Sequence, residues 1–132
     1  MLRDGNSVLI RAMVIEMKVT RLYTGPDAES HFEEIDIPLK DAGDIGRLLE
    51  RIPATGIIFR EADGDYHYRW HNAPNRQFII LLEGELKIEV GDGTRRRFGP
   101  GNVLLVEDTE GHGHISRALH NQPRKTIFVT LD

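Results

Sequence analysis

The sequence predicts a single all-β domain, a sandwich or barrel of about ten short strands with one short helix. Three observations carry this. The chain has 132 residues, one domain's worth. Its 13 glycines, with prolines among them, punctuate the chain at short intervals, as a turn-rich β protein requires. Between those turns the segments have strand length, and helices of the kind that join parallel strands are missing.

The elements follow in order. Val19, Arg21 and Tyr23 alternate with Lys18, Thr20 and Leu22, the period-two pattern of a strand. Gly25-Pro26-Asp27 turns the chain. Phe32, Ile35 and Ile37 predict a second extended segment, ended by Pro38. The helix candidate is 44–52: Asp44 can cap it, Ile45, Leu48, Leu49 and Ile52 share one face, and Pro53 stops it. Strands are expected at 56–60, 66–71, 77–82 and 85–90. Gly91-Asp92-Gly93 reads as a hairpin turn into 94–98. Gly99-Pro100-Gly101 leads to 103–106, and 114–119 and 126–131 complete the set.

Residues 1–17 read as an N-terminal extension and 18–132 as the domain. Phe78-Ile79-Ile80-Leu81-Leu82 is apolar on both strand faces, so both must be covered. One face can point into the barrel. The other must meet a second sheet, the N-terminal strands or a partner subunit; a homodimer is the expected cover, because a small closed barrel has little else to lay over an outer face.

Composition excludes several functions. With no cysteine, the chain has no thiol nucleophile, thiolate zinc site or disulfide framework. A net charge of −4 and no basic stripe argue against a nucleic-acid partner. Arg95, Arg96 and Arg97 alternate between strand faces and read as a solvated hairpin. No apolar run is long enough for a membrane span, and no signal peptide is read, so the expected location is cytoplasmic.

The stretch from about Thr20 to Leu131 resembles the small single-domain cupins. Gly84, in Leu82-Glu83-Gly84-Glu85-Leu86, matches the closing glycine of the family's first motif. Gly99-Pro100-Gly101-Asn102-Val103 matches the turn of its second. The resemblance implies a double-stranded β-helix, or jelly-roll, barrel. It also implies a metal held by three histidines and a glutamate. Only His71 matches the first histidine pair, with Arg69 in the other place. Gln77 stands for the glutamate, and His114 is the best match for the third histidine. The metal set so implied is His71, Gln77 and His114, for a divalent zinc, iron, nickel or manganese ion.

Strand geometry bears on these positions. Residues 67, 69 and 71 should share one face, with Tyr66, Tyr68 and Trp70 on the other. His67 and His71 would lie roughly 13 Å apart and so should not share an ion. Arg69 offers only donors, and suits a carboxylate or phosphate better than a cation. Gln77 brings an amide oxygen and no charge. His112 sits between Gly111 and Gly113 and reads as peripheral, while His31 and His120 read as surface residues. Glu107 and Asp108 are candidates for a general base or for a partner of His114, or they cap the following loop. Glu83 reads as solvent-facing, and Glu61 is a weaker candidate.

Two functions fit. In one, the barrel binds a small anionic organic molecule without obligate catalysis, through Arg69, His71, Gln77 and His114. In the other, it is a metal-dependent enzyme of the dioxygenase, isomerase or lyase class, acting on a small carboxylate or sugar-type metabolite. The fold alone does not choose a reaction.

Overall fold

The computed structural model of the chain describes residues 16–132. Apart from Glu16 and Met17, the expected extension lies outside the described residues. β1 (Glu16–Thr24) and β2 (Ser30–Pro38) form an antiparallel hairpin. A surface excursion follows, with two-residue strands β3 (Lys40–Asp41) and β4 (Arg47–Leu48) around a 3-10 turn at Gly43–Ile45.

That turn replaces the helix expected over 44–52. The apolar stripe has nothing to pack on: Ile45 is 77% exposed, and Leu48 and Ile52 are also exposed. A short helix gains its stability from a buried face, so without one it does not persist. Gly46, at φ +95°, ends the turn after one cycle.

The remaining strands pair as a nest. β5 (Gly56–Ala62) pairs with β12 (Arg124–Thr130), and β6 (His67–His71) with β11 (His114–Ala118). β7 (Gln77–Glu83) pairs with β10 (Val103–Glu107), and β8 (Leu86–Glu89) with β9 (Arg95–Phe98). Each pair is antiparallel. Folding this long ribbon over itself yields two facing sheets, ordered β2-β1-β10-β7-β12-β5 and β6-β11-β8-β9. That order is a jelly roll. The two sheets share no strand pairing among the described residues, so the expected barrel is open along its edges.

The predicted hairpin at Gly91-Asp92-Gly93 joins β8 to β9. Gly93 N–H donates to Val90 O, Thr94 N–H donates to the Asp92 side chain, and Gly93 has φ +89°. Between the sheets, Leu22, Leu81, Ile88 and Leu104 are almost completely buried. Each contributes about 2–3 kcal/mol of burial free energy relative to exposure. No helix among the described residues is long and apolar enough to cross a membrane.

On the outer face of the six-stranded sheet, pairing register aligns two apolar rows. One runs Phe59, Ile127, Ile80, Val103, and the other Ile57, Val129, Phe78, Leu105. Both rows end on the edge strand β5, where Phe59 is 75% exposed.

Candidate functional site

A cavity of about 260 Å³ opens between the sheets, beside the core. Its apolar wall includes Ile79, Leu86, Ile88, Val106 and Phe128, several of which also belong to the core or pack on it from the same strands. Its polar wall brings together His71 on β6, Gln77 on β7 and His114 on β11. These are three of the four ligand positions read from the sequence. His71 and His114 are directly opposite in the β6/β11 register, and their ring centroids are 4.3 Å apart.

Gly113 makes that approach possible. At φ +82° it occupies the left-handed region, and a Cβ there would sit 2.1 Å from the carbonyl oxygen of His71. The chain thus enters β11 pressed against the end of β6, which seats His114 over His71.

Arg69 does not reach the cavity and is exposed. The reason is a bulge. From His114 to Ser116 the register advances two residues on β11 but three on β6, from His71 to Tyr68. The extra residue in β6 breaks alternation. Tyr68 and Tyr66 therefore line the cavity, where simple alternation had turned them outward. Trp70 stays outside and stacks on His112 at 4.1 Å. His112 in turn bonds Glu29, at the periphery.

The two acids separate. Glu107 leaves the cavity and ion-pairs Arg21 at 2.6 Å and Arg76 at 2.8 Å. Burial pushes its carboxyl up, but the two guanidiniums outweigh this and hold it below the ordinary glutamate value. It clamps Arg21 to Arg76. Asp108 is fully buried and accepts from Ser30 Oγ at 2.8 Å and from His114 Nδ1 at 2.5 Å. Of the roles left open for it, partner of His114 is the one realised. Glu83 and Glu61 are exposed and do not line the cavity.

Both imidazoles are held by a hydrogen bond at Nδ1. His114 Nδ1–H donates to the Asp108 carboxylate, and His71 Nδ1–H donates to Arg69 O at 2.6 Å. With Nδ1 engaged, Nε2 is the ring nitrogen each has left for a bound molecule. Burial pushes the pKa of His71 down, the Arg69 carbonyl opposes this, and His114 adds to it. His71 is thus neutral at pH 7.

Sequence reasoning missed the guanidiniums. Arg60 on β5 and Arg124 on β12 both line the cavity, each with its Cζ 4.9 Å from the Tyr66 ring centroid. Arg124 is only 4% exposed, and its Nη1 is buried with no hydrogen-bond partner. Burial depresses its pKa, Tyr66 opposes and Arg60 reinforces. Parity held the available signal: Arg124, Thr126 and Phe128 alternate along β12, so a cavity-facing Phe128 implies a cavity-facing Arg124.

The donor set does not suit a resident divalent ion. Two imidazoles and one amide bring no negative charge, and among the described residues no acidic side chain lines the cavity while two guanidiniums do. Among the described residues no cluster of three metal-ligating acidic, histidine or cysteine side chains exists. The metal set inferred from the resemblance is therefore a shared location and not a coordination sphere.

The nested strand order, the Gly84 turn after β7, the Pro100-Gly101 turn before β10, and His71 facing His114 are now all in place. The fold is the jelly roll that the resemblance to the small cupins implies. No family model matches the chain. It is 30% identical over 90 residues to an uncharacterized protein of Rickettsia prowazekii, a match covering 68% of this chain. The chain spans 8% of the length of that relative. Among solved structures, it is similar to the Schizosaccharomyces pombe Cnp3 cupin domain, at 13% identity and TM-score 0.46, over 92% of this chain and 88% of that one. A putative ethanolamine utilization protein from Salmonella typhimurium matches at 12% identity and TM-score 0.46, over 88% and 96%. A conserved Streptococcus pyogenes protein of unknown function matches at 19% identity and TM-score 0.48, over 64% and 69%.

Proposed function

We propose that the cupin-type cavity binds a small anionic organic molecule. The observation that carries this reading is Arg124: a buried guanidinium beside a second one, in a cavity that no acidic side chain lines among the described residues. A buried, unpaired charge is costly, and an anion seated there removes the cost. Arg124 and Arg60 hold the anionic group, and Gln77, His71 and His114 orient the remainder. The anion-binding role expected of Arg69 thus passes to arginines on other strands.

Thermal unfolding tests the reading. Pyruvate, succinate and inorganic phosphate should raise the melting temperature in proportion to the logarithm of concentration. Acetamide, which has no charge, should not. If none of these anions stabilises the wild type beyond a matched chloride control, the reading fails.

The outer apolar face supports assembly with a second copy. Its two rows run out to β5, whose outer backbone edge is unpaired among the described residues. A two-fold related copy offers the same edge and the same rows, so backbone pairs with backbone and apolar rows meet apolar rows. Sedimentation is expected to show a dimer that Phe59→Lys converts to monomer. A wild-type monomer at high micromolar concentration would refute it.

A further inference from the structure

We infer that the bound molecule is an aryl monocarboxylate: one flat ring, with the carboxylate on a short arm and a neutral hydrogen-bonding group at the opposite end. This rests on the anion-binding reading and names the class of anion.

The polar groups of the cavity gather at its two ends. Gln77, His71 and His114 share one end, because the short 72–76 loop joins β6 to β7 and His114 pairs with His71. At the other end Arg60 and Arg124 meet on the Tyr66 ring. Pairing register measures the gap. Gln77 and Leu81 stand at the two ends of a four-residue step on β7, Leu81 pairs with Thr126, and Thr126 pairs with Arg60. Such a step spans roughly 13 Å, and side chains rise roughly perpendicular to the sheet. A hydrogen bond of about 2.9 Å at each end leaves roughly 7 Å for the molecule. A phenyl ring with a one-carbon carboxylate arm and a para substituent has that length.

The stretch between the ends is an apolar slot. Ile79 pairs with Phe128 midway along it, and in the other sheet Ile88 and Tyr68 flank Ser116 in a single row. All five line the cavity. Facing sheets stand about 10 Å apart, so side chains entering from both leave a gap closer to the thickness of a ring than to that of a branched group. An aromatic ring also gains from edge or offset contact with Phe128 and Tyr68. The cavity volume of 260 Å³ lies below the about 300–1,000 Å³ usual for ligand sites, which suits one ring and not two.

The two ends ask for different chemistry. Arg124 is buried with Nη1 unpartnered, and takes the negative charge. Gln77 is also buried, and its side-chain amide hydrogen-bonds no other described residue. An amide offers a donor and an acceptor and no charge, so it answers a hydroxyl or a carbonyl. A second carboxylate there would be buried away from both arginines. An alkyl tail there would leave the amide unpaired. Dicarboxylates and fatty acids are therefore both poorer fits than a para-substituted aryl acid.

Calorimetric titration of the full-length chain at fixed ionic strength tests this. The probes are 4-hydroxyphenylacetate, phenylacetate, 6-hydroxyhexanoate, pyruvate and the uncharged 4-hydroxyphenylethanol. 4-Hydroxyphenylacetate should bind about tenfold tighter than phenylacetate, because a site built to bond a hydroxyl discriminates against the analogue that lacks it. Phenylacetate should in turn bind at least tenfold tighter than pyruvate. 6-Hydroxyhexanoate has the same charge and hydroxyl on a flexible chain, and should bind at least tenfold more weakly than 4-hydroxyphenylacetate. Gln77→Leu should remove the advantage of the hydroxyl and leave phenylacetate binding within threefold of wild type. The wild-type series decides the matter by itself should that variant fail to fold.

If pyruvate binds and phenylacetate binds no tighter, the anion reading stands and the aryl body is overturned. Equal binding of 4-hydroxyphenylacetate and phenylacetate overturns the neutral end, and equal binding of 6-hydroxyhexanoate overturns the ring. If 4-hydroxyphenylethanol binds as tightly as 4-hydroxyphenylacetate, the anion reading itself falls, and the carboxylate assigned here falls with it.

Discussion

Replacing Arg124 by methionine is expected to raise the melting temperature of the ligand-free protein and to abolish its stabilisation by small anions. The two effects have opposite signs, which sets the experiment apart from ordinary damage to a site. In the free protein the guanidinium is buried beside Arg60, with Nη1 unpaired. Exchange of such a charge for an apolar side chain of similar length is stabilising by about 1–3 kcal/mol, or several degrees for a chain of this size. Arg60→Met should have a weaker effect on the free protein, because Arg60 is less buried. A fall in melting temperature for Arg124→Met would mean that the guanidinium already has its partner within the fold. The cavity would then not be waiting for an anion.

The largest loss is expected from Gly113→Ala. Two costs combine there. A left-handed φ costs an alanine about 1–2 kcal/mol. A Cβ placed 2.1 Å from His71 O must also push two backbones apart, which adds about 1–3 kcal/mol. Gly93→Ala separates the terms. Gly93 has the same sign of φ but nothing within 4 Å of its notional Cβ, so it should lose only the conformational part. Chemical denaturation should therefore place Gly113→Ala well below Gly93→Ala, and anion-dependent stabilisation should weaken only in Gly113→Ala. Equal losses would show that the loop can retreat from β6 at no cost, and that the seating of His114 is looser than its contacts imply.

The fold was legible because it depends on local punctuation. The turn at Gly91-Asp92-Gly93 sets the β8–β9 hairpin, Gly99-Pro100-Gly101 carries the chain from one sheet to the other, and apolar alternation sets the faces. The helix failed because Ile45, Leu48 and Ile52 have helical spacing but no partner surface, and periodicity records only the spacing. In the site, His71, Gln77 and His114 were legible as motif positions. Arg60 and Arg124 were not: they are 64 residues apart in the chain and meet only through the β5–β12 pairing. Glu107 and Asp108 could not be told apart from sequence. They are adjacent at one strand end, so one must face Arg21 and the other Ser30, and only the sheet order decides which.

The bulge in β6 means that residues 66–71 encode two interleaved reading frames for one wall. In one frame the wall is aromatic, with Tyr66 and Tyr68. In the other it is basic, with His67 and Arg69. A single surplus residue selects between them, so the wall is inherited as a frame and not side chain by side chain. Removing Arg69 outright would restore even pairing and keep both tyrosines where they are. Substituting the tyrosines one at a time would alter the wall piecemeal. The residue that stood out most as a ligand in the linear sequence is thus, in three dimensions, a spacer.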